Sequence, residues 1–113
     1  MTRAPRGAYP KRVKFLGKWW TIEYLSAPIK ETKTEIVFAE CDEVNSRLRI
    51  CRRYKGRWLP LEDVWEYILH EMDHAIASDM GIKFPEAFIE RHGAALRSVM
   101  FDNKWLWFLR RKR

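Results

Sequence analysis

Residues 69–78 read Leu-His-Glu-Met-Asp-His-Ala-Ile-Ala-Ser, with His70 and His74 four apart and Glu71 directly after the first. On a helix such a pair lies one turn apart on a single face, so both imidazoles can reach one ion. Zinc takes imidazole nitrogen at about 2.0–2.1 Å and, in hydrolytic sites, keeps one coordination position for water. A carboxylate between the histidines then stands beside that position. It can act as general base, taking a proton from the zinc-bound water and passing it to a leaving amine. The competing reading is an ordinary amphipathic helix with two histidines on its solvated face. With three histidines and ten glutamates in the 113-residue chain, this spacing arises by accident in very roughly 0.5% of shuffled sequences.

The element that must carry the motif is a helix from about Pro60 to Met80. Pro60 suits the start, Glu62 and Asp63 complement the helix dipole, and Gly81 suits the position just past the end. On a helical wheel Val64, Trp65, Ile68, Leu69, Met72, Ala75 and Ile76 form an apolar arc, while His70, His74, Asp63 and Tyr67 group on the opposite side. Glu71 falls on the flank.

A catalytic zinc needs a third protein ligand. A second helix, opened by Pro85 and ended by Asp102-Asn103, offers Glu86, Glu90 and His92. Its apolar arc runs through Phe88, Ile89, Ala95, Leu96, Val99 and Met100, with His92 near the centre. Each candidate has a plain alternative: Glu86 as a first-turn acid, Glu90 as an exposed helix residue, His92 as a packed histidine. Spacing alone does not choose among them.

The stretch HEMDHAIASDMGIKFPEAFIERHGAALRSVMFDN resembles the C-terminal half of small HExxH metallopeptidase-like proteins of the zincin superfamily. These are the compact type often encoded by phages and prophages, related in plan to SprT-like and ImmA/IrrE-like proteases. GKWWTIEYL and AECDEVNSRLRIC resemble the strands that precede the zinc helix in that group, so the resemblance covers roughly residues 13 to 103. It implies that His70 and His74 bind Zn²⁺ and that Glu71 is the general base. In the glutamate-ligand branch an acid on the next helix completes the site, with a second acid four residues later as support. Glu86 and Glu90 have that spacing, so Glu86 is the expected ligand and Glu90 its support, whereas SprT-like proteins use a histidine, which leaves His92 as the alternative ligand. Asp73 departs from the apolar residue usual between Glu and the second His, and is read as either an outer-shell group or an exposed one. The resemblance also implies that an extended peptide or protein substrate lies antiparallel to an edge strand, here one of the two hairpin strands, with Arg47 to Arg53 a candidate. Tyr67 is a candidate to stabilise the oxyanion, as are His92 or an arginine.

The supporting elements come first in the chain. Residues 1–12 are read as a flexible basic arm, residues 13–103 as the metallopeptidase-like domain, and residues 104–113 as an aromatic-basic tail. Alternation from Val13 to Leu25 predicts one strand or two around Gly17, and residues 26–34 a loop. EIVFAEC (35–41) and RLRICRRY (47–54) predict a hairpin about the polar turn 42–46, with KGRW (55–58) as the next turn. Strands first and helices second give an α+β fold: a small, about three-stranded, mainly antiparallel sheet followed by two helices. Cys41 and Cys51 fit neither a zinc knuckle nor a disulfide framework and are read as free thiols on neighbouring strands.

A net charge of +7 concentrates in residues 3–18, 47–57 and the final RRKR, and offers a surface for nucleic acid. The alternative function is therefore a zinc-stabilised nucleic-acid or partner-binding module with little or no peptidase activity. No run of eighteen apolar residues suggests a membrane span, and no signal peptide is evident. The expected location is the cytoplasm, a host's if the chain is phage-encoded. Nothing in the sequence speaks to oligomeric state.

Overall fold

The computed structural model describes residues 9–104. The expectations for residues 1–8 of the arm and for residues 105–113 of the tail lie outside that range. Arg12, the last residue assigned to the arm, opens the first strand, and Tyr9 before it packs on Tyr24 with ring centroids 5.5 Å apart.

Alternating side chains build β1 (Arg12–Phe15) and β2 (Lys18–Leu25), joined by Leu16-Gly17 with φ of 52° and 76°. Two successive left-handed residues make the tight turn whose twist matches antiparallel strands. The predicted loop 26–34 contains a short strand, β3 (Lys30–Glu31), paired with β4 (Ile36–Val37). The predicted strand 35–41 therefore breaks at Phe38. Its second part, β5 (Ala39–Asp42), pairs with β6 (Arg47–Cys51) instead. The strand predicted to run to residue 54 also breaks, at Arg52, whose N–H donates to Leu25 O at 3.0 Å. Beyond it β7 (Arg53–Tyr54) and β8 (Arg57–Trp58) form a small hairpin around Lys55-Gly56.

The main sheet has four strands rather than three, in the order β1-β2-β6-β5. The two outer pairs are antiparallel and the central pair, β2 with β6, is parallel. Strand β6 is thus interior. Its backbone is occupied on both sides, so the Arg47–Arg53 stretch is not the open edge. The edges of the sheet are β1 and β5, and β5 is the other strand of the hairpin, beside α1.

Two helices follow, α1 (Leu61–Met80) and α2 (Glu86–Asp102), beginning and ending where the prolines and Gly81 predict. Gly81 takes φ 68°, a left-handed cap that glycine adopts without steric cost. Trp20 and Ile22 of β2, Leu48 and Ile50 of β6, and Val64, Trp65, Ile68 and Ala75 of α1 form the core. On the opposite face of the sheet the residues are charged. Arg47 bonds Asp42 at 3.0 Å, and Arg49 bonds both Glu23 and Glu40 at 3.0 Å. Cys41 and Cys51 are free and lie on adjacent strands, as expected.

Ile50 is fully buried on the central parallel pair. Ile50→Ala should lower unfolding stability by about 2–5 kcal/mol, the cost of a core cavity. Urea titration followed by far-UV circular dichroism measures it.

Candidate metal centre

Helix α1 lies between the sheet and α2, and both of its faces are in use. Against the expected arc, Met72 and Ile76 are only half-buried, while Glu71 and Asp73 are among its buried residues. The histidine face does not look out into open solvent. It looks towards α2, which runs back antiparallel: Arg97 meets Glu66 at 2.9 Å, Gly93 packs on the backbone of His70, and Glu86 meets His74.

That packing decides where the acid stands. Glu86 and Gly93 are seven residues apart, two helical turns on one face of α2. With Gly93 seated on α1 at His70, Glu86 is carried to the side chains of the histidine pair. His70 Nε2 is 2.9 Å from Glu86 Oε1, His74 Nε2 is 3.3 Å from Glu86 Oε2, and the two Nε2 atoms are 3.3 Å apart. Ligands held about 2.0–2.1 Å from one tetrahedral ion lie about 3.3 Å from one another. The closest approaches among the three groups, made through the two different Glu86 oxygens, lie near that spacing, and a donor set of two imidazoles and a carboxylate suits zinc. His70 and His74 remain partly exposed, which leaves an open approach to the point where the donors converge.

Glu71 is buried beside this group at 7% exposure. Its burial, then the neighbouring Glu86 and Glu40, raises its carboxyl from an ordinary value near 4.5 to about 8. Burial, with Glu71 as the next cause, pushes the Cys41 thiol of β5 up to about 12. Glu71 lines a hollow together with residues 36–39, the chain that leads into β5.

The other sequence candidates fall at different distances from the centre. Tyr67 lines the same hollow as His70, Glu71, Glu86 and Glu90, and its ring stacks on Phe38 at 5.6 Å. Glu90 is exposed along this wall and is not among the three converging donors. His92 is not among them either. Its Nδ1 donates to Asp73 Oδ2 at 2.7 Å, and its ring stacks on Phe88 at 5.2 Å.

Asp73 is thus neither exposed nor beside the donors, but a buried strut between the two helices. Sequence reasoning marked Asp73 as out of pattern without finding this partner. The only signal was an acid at a position where the helix calls for an apolar side chain, which implies a satisfying group elsewhere. The expected apolar arc of α2 is also rotated. Only Ile89 and Gly93 are buried on that helix, while Phe88 and Val99 stand 47% and 39% exposed. Contact through a glycine lets the backbones approach, which turns the larger side chains aside.

Two hollows, of about 630 Å³ and about 510 Å³, meet at Glu86. The first runs along Ala77, Ile82, Phe84 and Ile89, and the second lies between the 36–39 segment and Tyr67. Searches of known protein families, of curated proteins and of solved structures find no match to this chain.

A buried carboxyl with a raised pKa holds its proton in the folded chain at pH values where the unfolded chain has lost it. Folding stability therefore falls as pH rises through the window from about 4.5 to about 8, and the full penalty is present above it. In chelator-treated protein, Glu71→Gln should flatten that part of the pH–stability curve and raise the melting temperature at pH 8. Thermal scans of both proteins across the window test this.

Proposed function

We propose that this chain is a zincin-like metallopeptidase in which His70, His74 and Glu86 hold a zinc ion and Glu71 is the general base. One observation carries the reading: an imidazole pair and a carboxylate from a second helix converge at 2.9–3.3 Å, with a buried glutamate next to them. When bound, zinc supplies Lewis acidity, polarising a carbonyl and making a water easier to deprotonate.

The residues of the chain supply the rest. Glu71, in the carboxylate form that a cation bound beside it would favour, takes the proton of the attacking water and delivers it to the departing amine nitrogen. Its buried setting keeps bulk water from competing for that proton. The exposed edge of β5 offers backbone N–H and C=O groups to an extended peptide, which would lie along the second hollow beside Phe38 and Tyr67. Tyr67 is the phenol on that wall able to donate to the developing oxyanion. The first hollow, lined by Ile82, Phe84 and Ile89, takes side chains on the other side of the scissile bond and favours apolar ones. Asp73 and His92 act at a distance, by fixing α2 and with it Glu86. Among the described residues no helix is long and apolar enough to cross a membrane.

Purified protein reconstituted with zinc and dialysed should carry one equivalent by inductively coupled plasma mass spectrometry. His74→Ala and Glu86→Ala should lose it. Glu71→Gln should retain zinc and lose cleavage of an unfolded protein substrate such as reduced casein by at least about a hundredfold, the scale of general base loss. Zinc retained in full by both ligand variants would overturn the assignment. So would casein cleavage unchanged in Glu71→Gln.

A further inference from the structure

The excess positive charge of the chain is unevenly available. Arg47 and Arg49, at the start of the basic stretch 47–57, are engaged by Asp42, Glu23 and Glu40 across the outer face of the sheet. Immediately after them the pattern changes. Residues 52–58, Arg-Arg-Tyr-Lys-Gly-Arg-Trp, hold four cations and no acid. Among the described residues, Arg52, Arg53, Lys55 and Arg57 form no ion pair with a carboxylate.

Aromatic rings hold three of these cations instead. The Arg52 guanidinium lies 5.3 Å from the Tyr24 ring and 5.1 Å from that of Trp58, and Arg53 lies 5.4 Å from Trp58. Lys55 Nζ is 5.2 Å from the Tyr54 ring. The antiparallel register brings this about by setting Arg53 opposite Trp58 and Tyr54 opposite Arg57. A cation resting on a ring keeps its charge and its outward N–H donors, because the quadrupole attracts it without accepting a hydrogen bond from those donors. Lys55 and Arg57 are exposed, and Tyr54 and Trp58 are half-buried.

We propose that the β7–β8 hairpin with Arg52 is a binding surface for single-stranded nucleic acid. Arg52, Arg53, Lys55 and Arg57 take successive phosphates, and unpaired bases stack on the half-buried rings of Trp58 and Tyr54, the latter anchored by its hydroxyl on Glu31, as the cations over them turn to the phosphates. The interleaving of rings with cations selects this partner. An acidic protein would need only the charges, and a duplex would present phosphates but no free base faces. An anionic membrane would favour aliphatic side chains among the cations, and the segment 52–58 has none. The surface also adjoins the metal centre. Tyr54 meets Phe38 edge-on at 5.5 Å, and Phe38 stacks on Tyr67 in the second hollow. A strand bound on the hairpin lies beside that hollow, yet the contact requires no metal and stands apart from the peptidase reading.

Fluorescence anisotropy of a labelled oligothymidylate with the full chain, in the presence of chelator, tests the proposal. Binding is expected at low salt and should weaken as salt rises. Lys55→Gln with Arg57→Gln, both exposed and clear of the core, should weaken binding about tenfold and reduce the slope of log affinity against log salt by about 1.4, two phosphate contacts. Trp58→Leu should weaken binding with little change of slope. Lys33→Gln with Lys83→Gln removes the same charge from exposed positions elsewhere and should stay within about twofold. Absence of binding at low salt overturns the proposal, as does equal loss in the two double variants. Equal competition by polyglutamate or by phosphatidylserine vesicles, with Trp58→Leu indistinguishable from the parent, overturns it in favour of general polyanion capture.

Discussion

Helix α1 has to satisfy two neighbours at once. Its apolar side closes the core against β2 and β6, and its opposite side receives α2. A helix covered on two sides cannot keep all of its polar groups in water, so each one brought inside must find a partner or change its protonation. Asp73 finds His92. Glu71 instead shifts its carboxyl upwards. The histidine pair meets Glu86, the first residue of the incoming helix. The chemistry of the site thus follows from where the second helix lands.

That landing rests on polar contacts more than on apolar area. Helix α2 buries only Ile89 and Gly93, and its register on α1 comes from the Arg97–Glu66 ion pair, the close approach at Gly93 and the Asp73–His92 bond. Hydrophobic contact is non-directional and tolerates sliding, whereas hydrogen bonds and ion pairs have short ranges and preferred angles. A helix positioned in this way has a defined register on its neighbour, and that register brings its first residue to the histidine pair. Its exposed Phe88 and Val99 show what was given up for that register.

Charge is handled by the same economy of placement. On the sheet's outer face arginines and acids stand in adjacent strand positions and neutralise one another. In the β7–β8 hairpin the one acid in contact among the described residues, Glu31, accepts from the Tyr54 hydroxyl rather than pairing a cation, and the cations rest on rings. A net charge of +7 describes neither region. Local pairing decides how much of it an approaching partner can feel.

Much of the architecture was legible in the residues themselves. Pro60, Gly81 and Pro85 mark the helix ends through backbone constraints that act locally, and alternation identifies the strands because the pleat has a period of two. The spacing of His70, Glu71 and His74 likewise determines that the two imidazoles share a helix face. What the chain alone could not reveal depends on pairing between distant segments. It was silent on the parallel contact of β2 with β6 and on the break of the hairpin strands at Phe38 and Arg52, and it did not tell which hairpin strand forms an edge. Spacing alone also did not tell which of Glu86, Glu90 and His92 stands nearest the histidine pair, because that depends on the rotation of α2. Gly93 against His70 sets that rotation, and a contact between two helix surfaces has no signature in the spacing of either one.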